Sequence, residues 1–291
     1  MSIDVLQEKI RKVKNPSIVV FDAFTDQIPP HIQQVAENTF VAIEQFCNAL
    51  LEGLRGTVAA VRFGFGSFAL LGPEGLAVLS RLLQSAQQMG YYVLLDAPDM
   101  LSALAARNCA AILGSEVSIY PCDGVVVNAY LGSDVFKPFL DLCKGGKSLF
   151  PVVRTSNKTA PEIQDLLTGG RLVHTAAADI VSRLGEPMVG KCGYSQVGAL
   201  AAASAADSLR SLREKYKRMF LLLDGYDYPN ANAKNCRFAF DRLGHGAAAC
   251  AGISITAAWK EAQTDGTDFV EQSLAAAERM KKNLTRYTTV L

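Results

Sequence analysis

Short apolar runs alternate with longer segments of helical periodicity along the whole chain. A run such as 17–23 (SIVVFDA) is apolar and β-branched until it ends in polar residues, which is typical of a strand in a covered parallel sheet. The segments between such runs place apolar residues three or four positions apart, which predicts amphipathic helices. The predicted strands are 17–23, 57–65, 91–96, 123–128, 148–155, 196–204, 218–224 and 246–254. The predicted helices are 31–53, 74–89, 102–113, 133–142, 160–167, an extra helix at 174–184, 207–217, 233–243 and 268–287.

Eight strand-then-helix units predict an α/β fold, a (β/α)8 TIM barrel in which polar residues at the carboxyl ends of the strands face the functional site. The alternative is an open doubly wound sheet. That fold usually has a glycine-rich turn after its first strand, whereas the turn at 22–25 reads Asp-Ala-Phe-Thr. No linker or low-complexity stretch divides the sequence, so we expect one domain over 1–291.

Composition narrows the class of protein. The chain has 291 residues, with 29 Lys and Arg against 28 Asp and Glu, and 49% of its residues are hydrophobic. A net charge of +1 gives no reason to expect nucleic acid as a partner, and the apolar content excludes a disordered chain. The apolar runs are too short to cross a membrane, and the first residues lack the apolar core of a signal peptide. Seven scattered cysteines without CxxC spacing predict free thiols and a cytoplasmic protein, with no metal site.

Two apparent motifs carry no chemistry at this level. Segment 144–148 (KGGKS) resembles a phosphate loop, but Asp141 stands where the first glycine is required, and the segment leads from a helix into a strand. His31, His174 and His245 lie far apart without HxxxH spacing, so we expect capping or core roles for them. The candidate site is therefore the set of polar strand-end residues: Asp22, Arg62, Asp96, Asp99, Asn128, Arg154, Thr155, Ser156, Asn157, Ser204, Asp224, Tyr226 and Asp227.

Several segments carry a family resemblance. They are 14–22 with 26–29 (KNPSIVVFD and DQIP), 94–97 (LLDA), 128–132 (NAYLG), 153–157 (VRTSN) and 189–195 (VGKCGYS). Together they resemble the orotidine 5'-monophosphate decarboxylase family, in its longer bacterial branch, over most of the chain. The resemblance implies a TIM barrel, dimers with the barrel mouths at the interface, and a cofactor-free carboxy-lyase of pyrimidine (UMP) biosynthesis. In that family a Lys/Asp network stabilises and protonates a C6 carbanion, and an arginine with backbone amides holds the phosphate.

The same comparison reveals departures from the family pattern. In the D-x-K-x-x-D motif, which begins at Asp96, Pro98 replaces the proton-donating lysine and Leu101 replaces the second aspartate. Arg62 stands at the lysine of the preceding V-K-P-Q strand end, and a guanidinium hardly gives up its proton. The P-G-Y-G-A-Q loop reads DGYDYP at 224–229, and Ile253 replaces the phosphate arginine.

These departures predict a catalytically defective decarboxylase-like barrel that acts as a binding or partner subunit. The remnant of the catalytic network would be Asp22, Arg62 and Asp96. The resemblance implies a pyrimidine nucleotide ligand, no cofactor, and either a homodimer or a heterodimer with an active relative. The residues expected to bind the ligand are Asn128, Thr155, Ser156, Asp224 and Tyr226.

Two alternatives remain open from the sequence. One is a working decarboxylase in which Lys158 or Lys191 replaces the lost lysine. The other is a different enzyme on the same barrel that acts on a ligand without phosphate, with four carboxylates at the mouth that hold a divalent cation: Asp22, Asp96, Asp99 and Asp227. For the dimer interface, we expect apolar surface near the rim from Leu101, Phe63, Phe65 and Phe68. The alternative is that the three phenylalanines belong to the core between helices and barrel.

Overall fold

The computed structural model describes residues 1–22, 25–97, 102–115 and 117–290. Eight parallel strands close into a barrel in the order β1-β2-β3-β4-β5-β8-β9-β10, with β10 returning to β1. The prediction of a (β/α)8 barrel is therefore confirmed. The barrel strands are β1 Ser17–Phe21, β2 Ala60–Gly64, β3 Tyr92–Asp96, β4 Gly124–Asn128, β5 Ser148–Val152, β8 Ala199–Ala202, β9 Leu221–Asp224 and β10 Ala247–Ala251. A small antiparallel hairpin outside the barrel is formed by β6 Leu167–Thr168 and β7 Arg171–Leu172.

Helices cover the outside of the barrel. The α-helices are α1 Ser2–Val13, α2 Pro30–Val35, α3 Thr39–Gly53, α4 Phe65–Ala69, α5 Gly72–Gln88, α6 Ala103–Gly114, α7 Ser133–Phe136, α8 Leu140–Lys144, α9 Pro161–Gln164, α10 Val173–Gly185, α11 Ala206–Lys215, α12 Ala233–Cys236, α13 Ile253–Thr256, α14 Ala258–Glu261 and α15 Phe269–Thr285. Short 3-10 helices span Thr25–Gln27, Lys137–Phe139, Glu186–Met188 and Arg237–Ala239. Of the helices in the described part of the chain, none is both long and apolar enough to span a bilayer.

Two predicted helices differ from the observed ones. The helix expected at 31–53 is divided into α2 and α3, because the Asn38 side chain accepts hydrogen bonds from the amides of Phe40 and Val41 and starts a new helix there. The helix expected at 160–167 ends at Gln164 and is followed by the β6–β7 hairpin. The extra helix at 174–184 is present as α10.

The core has two layers, because alternate residues of each strand face the barrel interior and the helices. Ile18 belongs to the interior cluster, and Val19 to the cluster under the helices. Helix α1, which the sequence analysis did not predict, adds Ile3, Leu6 and Ile10 to the interior cluster, and each of these is at most 1% exposed. Each such side chain contributes about 1.5–3 kcal/mol on burial. Helix α1 therefore closes the amino-terminal end of the barrel and leaves the opposite end open.

Candidate functional site

A buried arginine lies at the centre of the open end, which we call the barrel mouth. The Arg62 side chain is 10% exposed. Its Nε and Nη2 atoms donate to the two carboxylate oxygens of Asp96, both at 2.7 Å. Its Nη1 atom donates to Oδ1 of Asp224 at 2.6 Å. Burial opposes the charge on Arg62, but the two carboxylates outweigh it and raise the pKa of the guanidinium well above its usual value.

Asp224 connects this ion pair to the loop after β5. Its Oδ2 atom accepts a hydrogen bond from the Ser156 hydroxyl at 2.7 Å. Burial alone would raise the pKa of Asp224, but the charge and hydrogen bond of Arg62 lower it, helped by Ser156 and the Gly225 amide. Gly225 has φ of 73°, and a Cβ there would lie 2.6 Å from Cβ of Ser156. The close approach of these two loops therefore requires a glycine at 225.

A third carboxylate, Asp22, follows β1 at the same end. Its Oδ1 atom accepts a hydrogen bond from the Ser67 hydroxyl at 3.1 Å. Burial raises the pKa of Asp22, and the charges of Asp96 and Asp224 raise it further against the effects of Ser67 and Arg62. A Cβ at Gly64 would lie 2.2 Å from this oxygen, so the carboxylate occupies space that only a glycine leaves free.

A fourth carboxylate, Asp227, is held by the segment that follows β10. Its Oδ2 atom accepts a hydrogen bond from the amide of Gly252 at 2.5 Å, and its Oδ1 atom accepts one from the Ser254 hydroxyl. The neighbouring Ile253 is 53% exposed. The donors that end this strand are therefore already bonded to an anion of the chain itself.

Two cavities meet the Arg62–Asp224 ion pair from opposite sides. The first cavity, about 230 Å³, lies at the ends of β1, β9 and β10. We call it the ester-side cavity, because the family resemblance would place a phosphate ester at the last strands. Of the described residues that line it, none is Lys, Arg or His; the polar ones include Asp22, Gln27, Asp224, Asp227, Tyr228 and Thr256. The second cavity, about 480 Å³, lies at the ends of β2 to β5, and its lining includes Arg62, Asp96, Val126, Asn128, Tyr130 and Val152. We call it the base-side cavity, because the family resemblance would place the pyrimidine base beside the residues of β2 and β3. A third cavity of about 800 Å³ lies between the loops after β5, β8 and β9, and its lining includes Arg154, Ser156, Lys158, Ser204 and Tyr228.

Curated relatives match almost the whole chain. It is 28% identical to the orotidine 5'-phosphate decarboxylase of Rhodopirellula baltica over 293 aligned positions, which cover 96% of this chain and 97% of the relative. It is 26% identical to the orotidine 5'-phosphate decarboxylase of Clostridium novyi over 287 positions, with 98% of each chain covered. The resemblance to orotidine 5'-phosphate decarboxylases is confirmed. No family model matches the chain.

Solved structures give the same fold. The orotidine 5'-monophosphate decarboxylase of Plasmodium berghei aligns with a TM-score of 0.77 at 13% identity, covering 98% of each chain. The OMP decarboxylase of Leishmania donovani aligns with a TM-score of 0.73 at 20% identity, again over 98% of each chain. These likenesses support the barrel and its topology.

The strand-end residues implied by the decarboxylase resemblance divide into two groups. The structure brings Asp22, Arg62, Asp96, Ser156 and Asp224 into one bonded or charge-coupled cluster at the mouth. Asn128 and Thr155 line the base-side cavity. Asn128 also accepts a hydrogen bond from the Tyr130 amide, and Thr155 donates one to Asn157.

Tyr226 is a correction, because its side chain lies away from the mouth. The ring packs against the helix-side core cluster, and its hydroxyl interacts with Asn283 of α15. Burial raises the pKa of Tyr226 to about 12. Tyr228, which the sequence analysis did not select, lines two of the three cavities instead.

The two lysines of the active-decarboxylase alternative lie in different places. Lys191 precedes β8 and is next to Cys192, whose amide donates to Asp4 of α1 at 2.8 Å. Lys191 is therefore at the closed end of the barrel, and its proposed catalytic role is wrong. Lys158 is exposed beside the third cavity.

The remaining expectations concern the rim and the metal alternative. Phe63 and Phe68 are fully buried, so they are core and not interface surface. Pro98, Asp99 and Leu101 lie outside the described residues. Within the described ranges, no three His, Cys, Asp or Glu side chains lie together in a way that could hold a metal ion.

Residues that sequence reasoning missed sit one element away from the strand ends. Gln27 belongs to the 3-10 helix after β1, and its Oε1 atom accepts a hydrogen bond from Thr256 of α13 at 2.6 Å. Tyr130 follows β4, and its hydroxyl donates to the carbonyl of Val153. Gln164 of α9 bonds Thr155 through both its amide and its carbonyl groups. Gln27 and Tyr130 belong to the DQIP and NAYLG segments that carry the family resemblance, which is the signal that could have identified them, whereas Gln164 lies in no such segment.

Proposed function

We propose that the chain is a catalytically defective orotidine 5'-phosphate decarboxylase-like barrel that acts as a pyrimidine-binding or partner subunit. The observation that carries this proposal is the bonding of Arg62. Its guanidinium stands at the position where the family pattern has a lysine, and it donates to Asp96 and Asp224 through three nitrogen atoms. A guanidinium with a raised pKa does not supply the proton that a C6 carbanion needs.

Among the described residues, Arg62 is the only Lys, Arg or His that lines either of the two cavities beside it. Arg154 is buried and donates to Asp165 at 3.0 Å, and Lys158 is exposed beside the third cavity. The eight residues outside the described ranges include no Lys, Arg or His. The proton source implied by the resemblance therefore has no replacement among the residues that line the two cavities next to Arg62.

The charge of the mouth also opposes the family reaction. Orotidine monophosphate carries a carboxylate and a phosphate, and the ester-side cavity is lined by three carboxyl groups. At an effective dielectric constant of about 20, two like charges about 6 Å apart repel by about 3 kcal/mol. Enzymes lower their barriers by roughly 8 kcal/mol or more, chiefly through favourable electrostatics, and here the electrostatic contribution has the wrong sign.

An ultraviolet assay of orotidine monophosphate loss at neutral pH tests the proposal. We expect the purified protein to show no turnover, while the Rhodopirellula baltica relative, assayed separately under the same conditions, serves as the positive control. Turnover by the pure protein that disappears in the Asp96→Ala variant would overturn the proposal and support a rearranged active site.

The partner role is proposed on exposed apolar side chains of α6 and the segment that follows it. Leu104 and Ile112 of α6 are 64% and 55% exposed, and Val117 and Ile119 in the following segment are 85% and 58% exposed. Four large apolar side chains exposed within one stretch of chain are unusual for a surface that contacts only water, and contiguous exposed apolar surface is typical of protein interfaces. We expect a homodimer, or a heterodimer with an active relative, in light scattering after size exclusion. Leu104→Glu should yield monomers, with Val5→Glu, 44% exposed on α1 at the closed end of the barrel, as a matched control. A monomeric wild type that also fails to pair with an active relative would contradict the partner role.

A further inference from the structure

Asp227 occupies the donors that this barrel offers to an anion. (β/α)8 barrels frequently bind phosphate with the loops that follow their last two strands. In this chain those loops follow β9 and β10, and each contributes to one contact. Asp227, from the loop after β9, accepts from the Gly252 amide and the Ser254 hydroxyl, both after β10. The negative charge at this point is therefore supplied by the protein.

We propose that Asp227 is a built-in anion that makes the mouth selective for pyrimidine nucleosides against their 5'-phosphate esters. The inference rests on the proposed function, because it narrows the ligand class of the same site. It makes Asp227 a specificity-determining residue, and it assigns no catalytic step to it.

The ester-side cavity has the chemistry that this specificity requires. Ionised carboxylates only accept hydrogen bonds, so ligand hydroxyl groups are suitable partners for Asp224 and Asp227. A phosphate offers acceptors to acceptors and adds like charge. A phosphate at this place would also lose the Gly252 and Ser254 donors, because Asp227 already holds them. Hydrogen bonds to charged groups are stronger than those between neutral groups, and in this chain Asp227 accepts them at the place where a phosphate would.

The base-side cavity accounts for the pyrimidine part of the ligand. Val126 and Val152 give it apolar walls, and Arg62, Asp96 and Asn128 give it polar groups of both kinds. Such a lining suits a flat heterocycle with a few polar atoms. Arg62 lines this cavity and Asp224 lines the ester-side cavity, so the two cavities are neighbours on either side of the 2.6 Å Arg62–Asp224 hydrogen bond.

Calorimetric titration of the full-length protein with uridine, uridine 5'-monophosphate and inorganic phosphate tests the inference. For the wild type we expect uridine to bind about tenfold or more tightly than its monophosphate, equivalent to about 1.4 kcal/mol, and phosphate not to bind. The Asp227→Gly variant restores the glycine of the family loop pattern. In this variant we expect the affinity for the monophosphate relative to uridine to rise about tenfold or more.

A matched control separates this effect from loop stability. Asp265 also accepts from an amide and a hydroxyl, those of Thr267 at 2.9 Å and 2.7 Å, but it lies in the loop between α14 and α15. Asp265→Gly should leave the ratio of the two affinities unchanged. If Asp227→Gly fails to fold, Asp227→Asn removes the charge while keeping a hydrogen-bond acceptor, and it should raise the relative affinity for the monophosphate in the same direction.

Three results would overturn the inference. The first is a wild type that binds the monophosphate as tightly as uridine. The second is a wild type that binds neither ligand at millimolar concentration, and the third is a ratio that Asp227→Gly and Asp227→Asn both leave unchanged. None of these results requires turnover of orotidine monophosphate, so the inference can fail while the proposed loss of catalysis stands.

Discussion

Replacing Arg62 with methionine leaves Asp96 and Asp224 without the cation to which both are bonded. Methionine has a similar length and no charge, so the change removes three charged hydrogen bonds at 2.6–2.7 Å with little loss of volume. Removing one partner of a buried ion pair costs about 3–5 kcal/mol, because the other charge stays buried without compensation. We expect the free energy of unfolding at pH 7 to fall by about that amount.

Arg81 provides a matched control on the surface. It forms the same two-nitrogen contact with Glu44, at 2.8 Å and 2.7 Å, but its side chain is 50% exposed. Exposed ion pairs contribute about 0.2–1 kcal/mol, so Arg81→Met should change the free energy of unfolding by less than about 1 kcal/mol. Two arginines with similar bonding and different burial thus isolate the effect of the barrel interior.

The stability difference between Arg62→Met and the wild type should also depend on pH in a defined direction. In the wild type the pKa of Asp224 is lowered by Arg62, so its stabilising contribution is present above its unfolded pKa and is lost as the pH falls through the folded pKa. In Arg62→Met burial acts without that opposition and raises the pKa of this carboxyl, so the folded state takes up a proton as the pH falls. The difference in stability between variant and wild type should therefore narrow from pH 7 to pH 5.

Urea unfolding followed by circular dichroism at pH 5, 6 and 7 measures all three proteins. An Arg62→Met variant that unfolds at the same urea concentration as Arg81→Met would refute the reasoning. A difference from wild type that widens on acidification would refute it equally, since protonation of the abandoned carboxylates could then not be the cause.

Two further predictions concern packing at the two ends of the barrel. Gly64→Ala should destabilise the fold and displace Asp22, because the new Cβ would lie 2.2 Å from Oδ1 of Asp22. The control Gly66→Ala in α4 places its Cβ where nothing lies within 4 Å, so it should be neutral or slightly stabilising. Thermal unfolding compares the two variants, and equal melting temperatures would contradict the predicted clash. Leu6→Ala in α1 should lower the free energy of unfolding, measured with urea, by about 2–5 kcal/mol, because this side chain is fully buried. The control Val5→Ala removes a side chain that is 44% exposed and should lower it far less. Similar losses in the two variants would mean that α1 does not close the barrel.

The barrel could be predicted from the sequence because its signals are local. Each strand is a short apolar run, each covering helix has its own periodicity, and the carboxyl ends of parallel strands meet at one end. That geometry is sufficient to predict that Asp22, Arg62, Asp96 and Asp224 lie at the same end of the barrel. Helix α1 was also predictable, because Ile3, Leu6 and Ile10 follow helical spacing.

Side-chain direction in loops could not be predicted in the same way. Asp224 ends a strand, so its placement is fixed by the pleat, but Tyr226 and Asp227 follow it by two and three residues. One turns outward to α15 and the other across to the Gly252 amide, and both choices depend on partners distant in sequence. The error over Lys191 had a different cause, since it precedes its strand and strand polarity alone would have placed it at the closed end.

At the position where decarboxylation needs a proton donor, the mouth has Arg62, whose guanidinium is held by Asp96 and Asp224. The most direct measurement is a single-turnover experiment, with the protein in excess over orotidine monophosphate labelled with ¹³C in its carboxylate, followed by NMR at neutral pH. We predict that the substrate loses its label no faster than in a control without protein, both with the wild type and with Asp96→Ala. Formation of one equivalent of labelled carbon dioxide and UMP by the wild type, abolished in Asp96→Ala, would contradict the account.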